Sequence, residues 1–136
     1  MTFDFEVTPD DAERAGRAST KFKGIMKELG VPAQIIRAIS IAMYEGEINM
    51  VIHANGGNIH CEIDEDKITI IMKDQGPGIP DIDKAMQPGW STASDDAREL
   101  GFGAGMGLPN IKKWSSSMTV ESEAGVGTTL SMEFTL

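Results

Sequence analysis

Two polar residues one helical turn apart, Glu45 and Asn49, have the types and the spacing to act on one ligand. In the stretch YEGEINMVIHANGG they interrupt an apolar stripe of four- and three-residue spacing. The other members of this stripe are Ile41, Ile48 and Ile52. Because buried polar groups need partners, an acid and an amide placed in this way can share a metal ion or a water molecule. The alternative is an exposed helix edge on which the pair is incidental.

The two residues that follow Glu45 in this helix, Gly46 and Glu47, raise separate expectations. Gly46 costs roughly 1 kcal/mol against alanine in a helix interior, so we expect a close neighbour at the backbone there. Glu47 lies off the stripe and is expected to point elsewhere and to be solvated.

A second candidate site lies where a predicted strand ends, in the stretch KDQGPGIP. Asp74 closes the strand, where its carboxylate could accept a hydrogen bond from an exocyclic amine. Gly76 and Gly78 would allow a flat ring to approach the backbone closely. Thr128, in GVGTT near the end of the chain, could hold a water molecule under such a base. The alternatives are an ordinary strand-to-loop turn and an ordinary β-branched strand residue.

Four glycines in seven positions precede a short predicted helix in ELGFGAGMGLPNIKKW, residues 99–114. Glycine is costly to order, so this cluster (Gly101, Gly103, Gly105 and Gly107) needs a reason. Glycines that lead into a helix N-terminus can cradle a phosphate, because that end offers unpaired N–H groups and a partial positive charge. The stretch lacks the Lys-Ser/Thr ending of a P-loop and follows no strand, which excludes the Walker and Rossmann patterns. A lid hinge is the alternative, and it is compatible with phosphate binding.

The periodicity along the chain predicts helices packed on one face of a mainly antiparallel sheet, a two-layer α+β sandwich. The first helix is expected to start with Thr8 as its cap, in a capping-box-like arrangement with Asp11, and to end near Gly30. The other predicted elements are strands at 3–7, 59–63, 67–74, 118–123 and 127–136, and helices at about 32–54 and 107–117. Residues 75–105 lack periodicity, and so long a segment is usually functional or mobile.

Composition and charge exclude several classes of protein. The 136 residues are expected to form one domain with its own core. A net charge of −9 and 12 scattered Lys and Arg residues argue against direct binding to DNA or RNA. No apolar run approaches the roughly 20 residues of a membrane span, and residues 1–11 lack the pattern of a signal peptide. The lone Cys61 excludes an intrachain disulfide and is expected in a core strand, which fits a reducing cytoplasm.

Taken in order, these pieces resemble the four ATP-binding boxes of the gyrase, heat-shock chaperone, histidine kinase and mismatch-repair ATPase superfamily. The EGEIN stretch, Glu45 to Asn49, resembles its N box, and the DQGPG stretch from Asp74 resembles its first glycine box. The GAGMGL stretch at 103–108 resembles the second glycine box, and Gly127-Thr128 the last. The resemblance covers essentially the whole chain and implies a Bergerat-type ATP-binding fold.

Within that superfamily the chain is most similar to the anti-sigma-factor and switch serine/threonine kinases of bacteria. The stretch QPGWSTASDD resembles their short lid, which would lie at about 79–105, and residues 105–129 resemble their closing third. The second glycine box is longer and richer in glycine here than in the compact anti-sigma kinases. This departure leaves the register of the phosphate contacts open.

The resemblance also implies roles for individual residues. Asp74 would bind the adenine amine, with Gly78 and Thr128 supporting the base. Asn49 would hold Mg²⁺, and Glu45 would be the general base that takes the proton from a Ser or Thr hydroxyl. The further residues implied in ATP binding are Gly76, Gly103, Gly105, Met106, Gly107 and Leu108.

The expected function is therefore a serine/threonine protein kinase that uses ATP and Mg²⁺. By resemblance its substrate would be a STAS-domain (anti-anti-sigma-like) protein, and the protein would form a homodimer. The alternative is a nucleotide-dependent module that sequesters a partner such as a sigma factor, with little catalysis. A histidine kinase would need an upstream helical hairpin with the phosphorylated histidine, and the predicted fold itself uses the residues before Glu45.

Overall fold

The computed structural model describes residues 1–8, 16–53, 56–74, 107–123 and 125–136. Within these residues the chain forms one five-stranded sheet and three helices. The strands are β1 (Thr2–Val7), β2 (Gly57–Ile63), β3 (Lys67–Asp74), β4 (Ser117–Glu123) and β5 (Gly127–Thr135), and the helices are α1 (Arg17–Glu28), α2 (Ala33–His53) and α3 (Gly107–Trp114).

The sheet has the strand order β1-β2-β3-β5-β4, and all neighbouring strands are antiparallel. Every strand has the alternating sequence of an element that is buried on one face. The register pairs Lys73 with Thr129 and Gly57 with Asp74. As a result, the end of β3 lies between the start of β2 and the start of β5, in the centre of the sheet.

The helices form a second layer on one face of this sheet, so the α+β sandwich expected from the sequence is confirmed. Both α1 and α3 contact α2 and run antiparallel to it, since Glu47 near the end of α2 meets the start of α1 and Trp114 at the end of α3 meets Arg37 near the start of α2. The core between the layers includes fully buried side chains from both: Phe22, Met26, Ile39, Met43, Ile59, Cys61, Ile68, Ile70, Ile111, Met132 and Phe134.

Cys61 is a core strand residue, as predicted. Its side chain is fully buried, and this burial, with a smaller contribution from the charge of Asp4, raises the thiol pKa to about 12. A thiol with so high a pKa is not a nucleophile at neutral pH. Cys61 is therefore a structural core residue.

Helix α1 begins at Arg17, with Gly16 as its N-cap residue in a left-handed conformation, so the continuous helix predicted from Thr8 to Gly30 is wrong. Asp11 of the predicted capping box lies outside the described residues. Gly16 has no side chain that could cap α1, and a carboxylate from α2 takes that place, as described below. The other predicted helix, at 32–54, agrees with α2, and all five predicted strands are present to within two residues. Helix α3 ends at Trp114, three residues earlier than expected.

Candidate functional site

The Glu45–Asn49 pair lies on the flank of α2 rather than on its core face. The buried residues of α2 are Ile36, Ile39, Ala42, Met43, Gly46, Glu47, Ile48 and Met50. Glu45 and Asn49 are each half-buried. Both side chains thus lie at the boundary between the helix layer and solvent, where a carboxylate stays accessible to a ligand without full desolvation.

Helix α3 provides a partner for Glu45 that the sequence reasoning missed. The Asn110 side-chain Nδ2 donates a hydrogen bond to Glu45 Oε1, with a donor–acceptor distance of 3.4 Å. Asn110 is half-buried between the buried residues Leu108 and Ile111, so α3 is anchored by apolar contacts on both sides of the amide. The sequence feature that could have indicated this partner is Asn110 itself, a single amide among the otherwise apolar residues at the start of α3.

Gly46 allows α2 to lie directly on β3, which confirms the close neighbour expected from its cost. A Cβ at this position would overlap the Met72 sulfur and would lie 2.9 Å from the Met72 methyl carbon. Met72 is 2% exposed and is two residues from Asp74. The contact therefore sets the height of the Glu45–Asn49 stripe above the end of β3.

At that strand end the structure joins Asp74 to Thr128. The Thr128 backbone N–H donates to Asp74 Oδ1 over 3.1 Å, and both residues are half-buried. The Thr128 hydroxyl oxygen is in turn 3.0 Å from that of Ser122 on β4. The antiparallel pairing of β3 with β5 brings these residues together. The Asp74 carboxylate is therefore held in a fixed orientation at the end of the central strand.

The expectation that Glu47 is solvated is wrong. Its carboxylate is 3% exposed and accepts four hydrogen bonds from the start of α1. Oε2 accepts from the N–H groups of Gly16 (2.9 Å) and Ala18 (3.2 Å), and Oε1 accepts from the N–H (3.0 Å) and the hydroxyl (2.8 Å) of Ser19. A charged acceptor satisfies N–H groups that have no partner within the helix and is favoured by the helix dipole.

Gly16 makes this arrangement sterically possible. It has φ of 98°, and a Cβ there would lie 2.7 Å from a ring carbon of Tyr44. Only glycine adopts such a backbone conformation without strain while a tyrosine ring packs against it. The cap of α1 is therefore tertiary, and helical periodicity alone could not reveal it.

Several predicted site residues lie outside the described residues, namely Gly76, Gly78, Gly101, Gly103, Gly105 and Met106, together with the predicted lid at 79–105. Their roles stay predictions, as does the division of residues 1–136 into a single domain. Gly107 is the first residue of α3, so the glycine-rich stretch leads directly into a helix N-terminus, as expected. Leu108 is 8% exposed and packs in the core.

The residues that are described have the donor and acceptor types that a nucleotide with Mg²⁺ needs. The carboxylate of Asp74 can accept a hydrogen bond from an amine, and the amide oxygen of Asn49 is of the type that Mg²⁺ takes as a ligand. Within the described ranges, no group of three or more His, Cys, Asp or Glu side chains could hold a metal ion by itself. Of the described helices, none is long and apolar enough to cross a membrane.

Comparison with known proteins agrees with this geometry. Residues 8–134 match the family model of the histidine kinase-like ATPase domain. The serine/threonine-protein kinase RsbT of Bacillus subtilis is 36% identical over 110 residues, which cover 78% of this chain and 77% of that protein. The anti-sigma F factor of Caldanaerobacter subterraneus is 33% identical over 120 residues, covering 85% of this chain and 80% of that protein.

Two solved structures share the fold at low sequence identity. The RsbU and RsbW domains of a Mycobacterium tuberculosis protein superpose with a TM-score of 0.67 at 15% identity, covering 98% of this chain and 32% of that one. The mycobacterial sensor histidine kinase MprB gives a TM-score of 0.56 at 14% identity, covering 99% of this chain and 97% of that one. The chain therefore belongs to the histidine kinase-like ATPase domain family, in the group that includes the RsbT serine/threonine kinase and the anti-sigma F factors.

Proposed function

We propose that this protein is a serine/threonine protein kinase that transfers the γ-phosphate of ATP to a Ser or Thr hydroxyl of a STAS-domain partner. The observation that carries the proposal is the state of Glu45. Its half-buried carboxylate lies one turn from Asn49, and within the described residues it is engaged only by the long hydrogen bond from Asn110. Such a carboxylate is held in orientation and still has lone pairs for an incoming hydroxyl.

The proposal gives a role to each of the chain's own residues. Asp74, oriented by the Thr128 N–H, holds the adenine at the sheet edge, and Asn49 provides an oxygen ligand for Mg²⁺. A Mg²⁺ ion held there would supply positive charge that neutralises the phosphates. Glu45 accepts the proton of the acceptor hydroxyl while the oxygen of that hydroxyl forms a bond to the γ-phosphorus. The bond from that phosphorus to the β–γ bridging oxygen breaks, and ADP leaves with the electron pair.

The transferase is tested with γ-labelled ATP, Mg²⁺ and purified STAS-domain proteins from the same source. We expect label on a partner Ser or Thr, and we expect Glu45→Gln to lose about a hundred- to ten-thousand-fold in rate while ATP binding is kept. Glu65→Gln, an exposed residue in the turn between β2 and β3, is the matched control and should transfer normally. Transfer by Glu45→Gln at the wild-type rate would remove Glu45 as the base.

The metal role of Asn49 has its own test. Asn49→Ala should weaken ATP binding more with Mg²⁺ than without it, because the amide oxygen contributes only through the ion. Titration calorimetry with ATP, in Mg²⁺ and in EDTA, measures both affinities. Equal losses in the two conditions would contradict a metal ligand at this position.

A second function, sequestration of a partner with little catalysis, is favoured by the similarity to the anti-sigma F factors. The transfer experiment separates the two functions. Tight ATP binding and a stable complex with a partner, without label on any Ser or Thr, would support sequestration.

A further inference from the structure

Among the described residues, the charges of this acidic protein are segregated between the helix layer and the sheet layer. On the described helices seven basic side chains are exposed, four on α1 and three on α2 and α3. The first four are Arg17, Lys21, Lys23 and Lys27, and the other three are Arg37, Lys112 and Lys113. Against them the same helices have three acids, of which Glu47 is buried. The described part of the helix layer is thus positive in a protein whose net charge is −9.

The sheet layer has the opposite sign. The described strands and the turn between β2 and β3 contain two basic residues, Lys67 and Lys73, and ten acidic ones. All ion pairs among the described residues lie on this layer, joining His60 to Asp4 and Glu62, and Lys67 to Glu133. The cations of the helix layer have no such carboxylate partner in the described part of the chain, so their charge is available to another molecule.

One end of the helix layer concentrates these cations around an aromatic ring. The guanidinium carbon of Arg37 lies 5.7 Å from the centroid of the Trp114 ring, and the Lys113 Nζ lies 5.6 Å from it. Trp114 is half-buried, and the exposed Lys112 precedes Lys113 on α3. We call this surface, formed by Arg37, Lys112, Lys113 and Trp114, the basic end.

Helix dipoles explain only part of the basic end. Lys112 and Lys113 lie in the last turn of α3, where a positive charge is favoured. Arg37 is different, because it lies near the start of α2, at the positive end of that dipole. An exposed arginine stacked on a half-buried tryptophan without a carboxylate partner is the combination enriched at protein interfaces.

The basic end is also within reach of the candidate base. Arg37 precedes Glu45 by eight residues on α2, or about 12 Å at the helical rise. On α3, Trp114 follows Asn110 by four residues, or about 6 Å. A protein seated on the basic end would therefore extend over the α2–α3 surface that carries Glu45.

We propose that the basic end docks an acidic surface of the protein whose hydroxyl is phosphorylated. The sign of the charge selects an acidic partner, and the half-buried tryptophan favours a folded surface with an apolar centre over a bare polyanion. A long nucleic acid is disfavoured, because the part of it that reached past the basic end to the acidic sheet layer would be repelled. The docking of an acidic protein does not depend on the proposed function. The identification of that protein as the phosphate acceptor rests on it.

The test compares two double charge reversals of equal charge change. Arg37→Glu with Lys113→Glu alters the basic end, and Lys21→Glu with Lys23→Glu alters exposed residues on α1. Binding to each purified STAS-domain protein is measured by biolayer interferometry between 50 and 300 mM salt, with ATP and Mg²⁺ present. We expect at least a tenfold higher Kd and a shallower salt dependence for the first pair, and less than a threefold change for the second. Circular dichroism checks that both variants are folded.

Each outcome decides the proposal. Equal binding by the wild type and the basic-end variant, equal weakening by both reversals, or no binding of any STAS-domain protein by the wild type would overturn it. So would tighter binding to a 20-base-pair duplex than to the proteins.

Label transfer measured on the same variants separates the two proposals. Unchanged transfer at low acceptor concentration by the basic-end variant would overturn the docking and leave the kinase intact. Weakened binding with no label from any variant would leave the docking and overturn the kinase.

Discussion

The two carboxylates of α2, two residues apart, are used in opposite ways by the contacts on either side of the helix. On the α1 side, Glu47 is 3% exposed and accepts four hydrogen bonds of 2.8 to 3.2 Å. On the α3 side, Glu45 is half-buried and accepts one bond of 3.4 Å from Asn110. A carboxylate with filled lone pairs holds structure together, and one with unfilled lone pairs is free for chemistry. The difference gives Glu47 a structural role and leaves Glu45 accessible for the proton transfer proposed above.

The largest effect on stability should come from Glu47→Gln. The glutamine amide would place N–H donors against donors at the start of α1, and the charge that favours the helix N-terminus would be lost. We expect the free energy of unfolding to fall by about 2 to 3 kcal/mol. Urea denaturation followed by circular dichroism measures this change.

The same measurement on Glu45→Gln makes the comparison sharp. Because Glu45 accepts a single long bond, this variant should unfold within about 0.5 kcal/mol of the wild type. Equal destabilisation by the two substitutions would remove the distinction between the carboxylates.

Residues 45 and 47 also mark where the sequence was informative and where it was not. Alternation and helical spacing predicted the five strands and α2, because a buried face imposes its period directly on the sequence. The same spacing placed Glu45 and Asn49 together on one stripe. It failed for Glu47 and for the start of α1, since a cap supplied from 28 to 31 residues away leaves no local pattern. Asn110 was missed for the same reason, as its partner is 65 residues distant.

The next effect concerns Gly46, which lies between the two carboxylates and faces β3. In Gly46→Ala the added methyl would overlap the Met72 sulfur, so one of the two elements must move. We expect a loss of about 1 to 3 kcal/mol in the free energy of unfolding, as for other overpacked cores. Because α2 would be lifted as a unit, ATP binding should weaken as well.

Gly24→Ala on α1 is the matched control for this substitution. No heavy atom lies within 4 Å of its added Cβ, and the residue is exposed. Alanine should therefore raise the stability by up to about 1 kcal/mol. A stable Gly46→Ala variant with normal ATP affinity would show that the contact between α2 and β3 does not set the site.

A smaller effect is expected at Asn110, which donates the hydrogen bond to Glu45. Asn110→Ala should lower the turnover number about five- to tenfold, the equivalent of roughly 1 kcal/mol of lost orientation by one hydrogen bond. The KM for ATP should be unchanged, because the amide contacts the base rather than the nucleotide. Steady-state transfer with the STAS-domain acceptor provides both values.

A double-mutant cycle distinguishes orientation of Glu45 from a general loss of structure. In a Glu45→Gln background, Asn110→Ala should have no further effect on the residual rate. Asn58→Ala, an exposed asparagine on β2, is the matched control. Additive losses in the double variant would mean that Asn110 acts on something other than Glu45.

The smallest effect is expected on the exposed face of the sheet, where two carboxylates share a cation. His60 Nδ1 lies 2.6 Å from Asp4 Oδ1, and Nε2 lies 3.0 Å from Glu62 Oε1. The hydrogen bond with Asp4, followed by that with Glu62, raises the pKa of His60 above its ordinary value of 6.5. Any stability from this cluster is present below pH 6.5 and is lost as the pH rises through the pKa of the folded state.

Asp4→Asn should therefore lower the His60 pKa toward 6.5, and Glu62→Gln should lower it by less, because Asp4 is the stronger cause. Proton NMR titration of the ring signals measures both shifts, and the spectrum of His60→Gln identifies which of the chain's two histidines gives each signal. The pH dependence of unfolding above pH 6.5 should flatten in parallel. If Asp4→Asn left the His60 pKa unchanged, solvent would screen the exposed carboxylates on this sheet. A difference between carboxylates that is set by their contacts, as between Glu47 and Glu45, would then be found only in the helix layer.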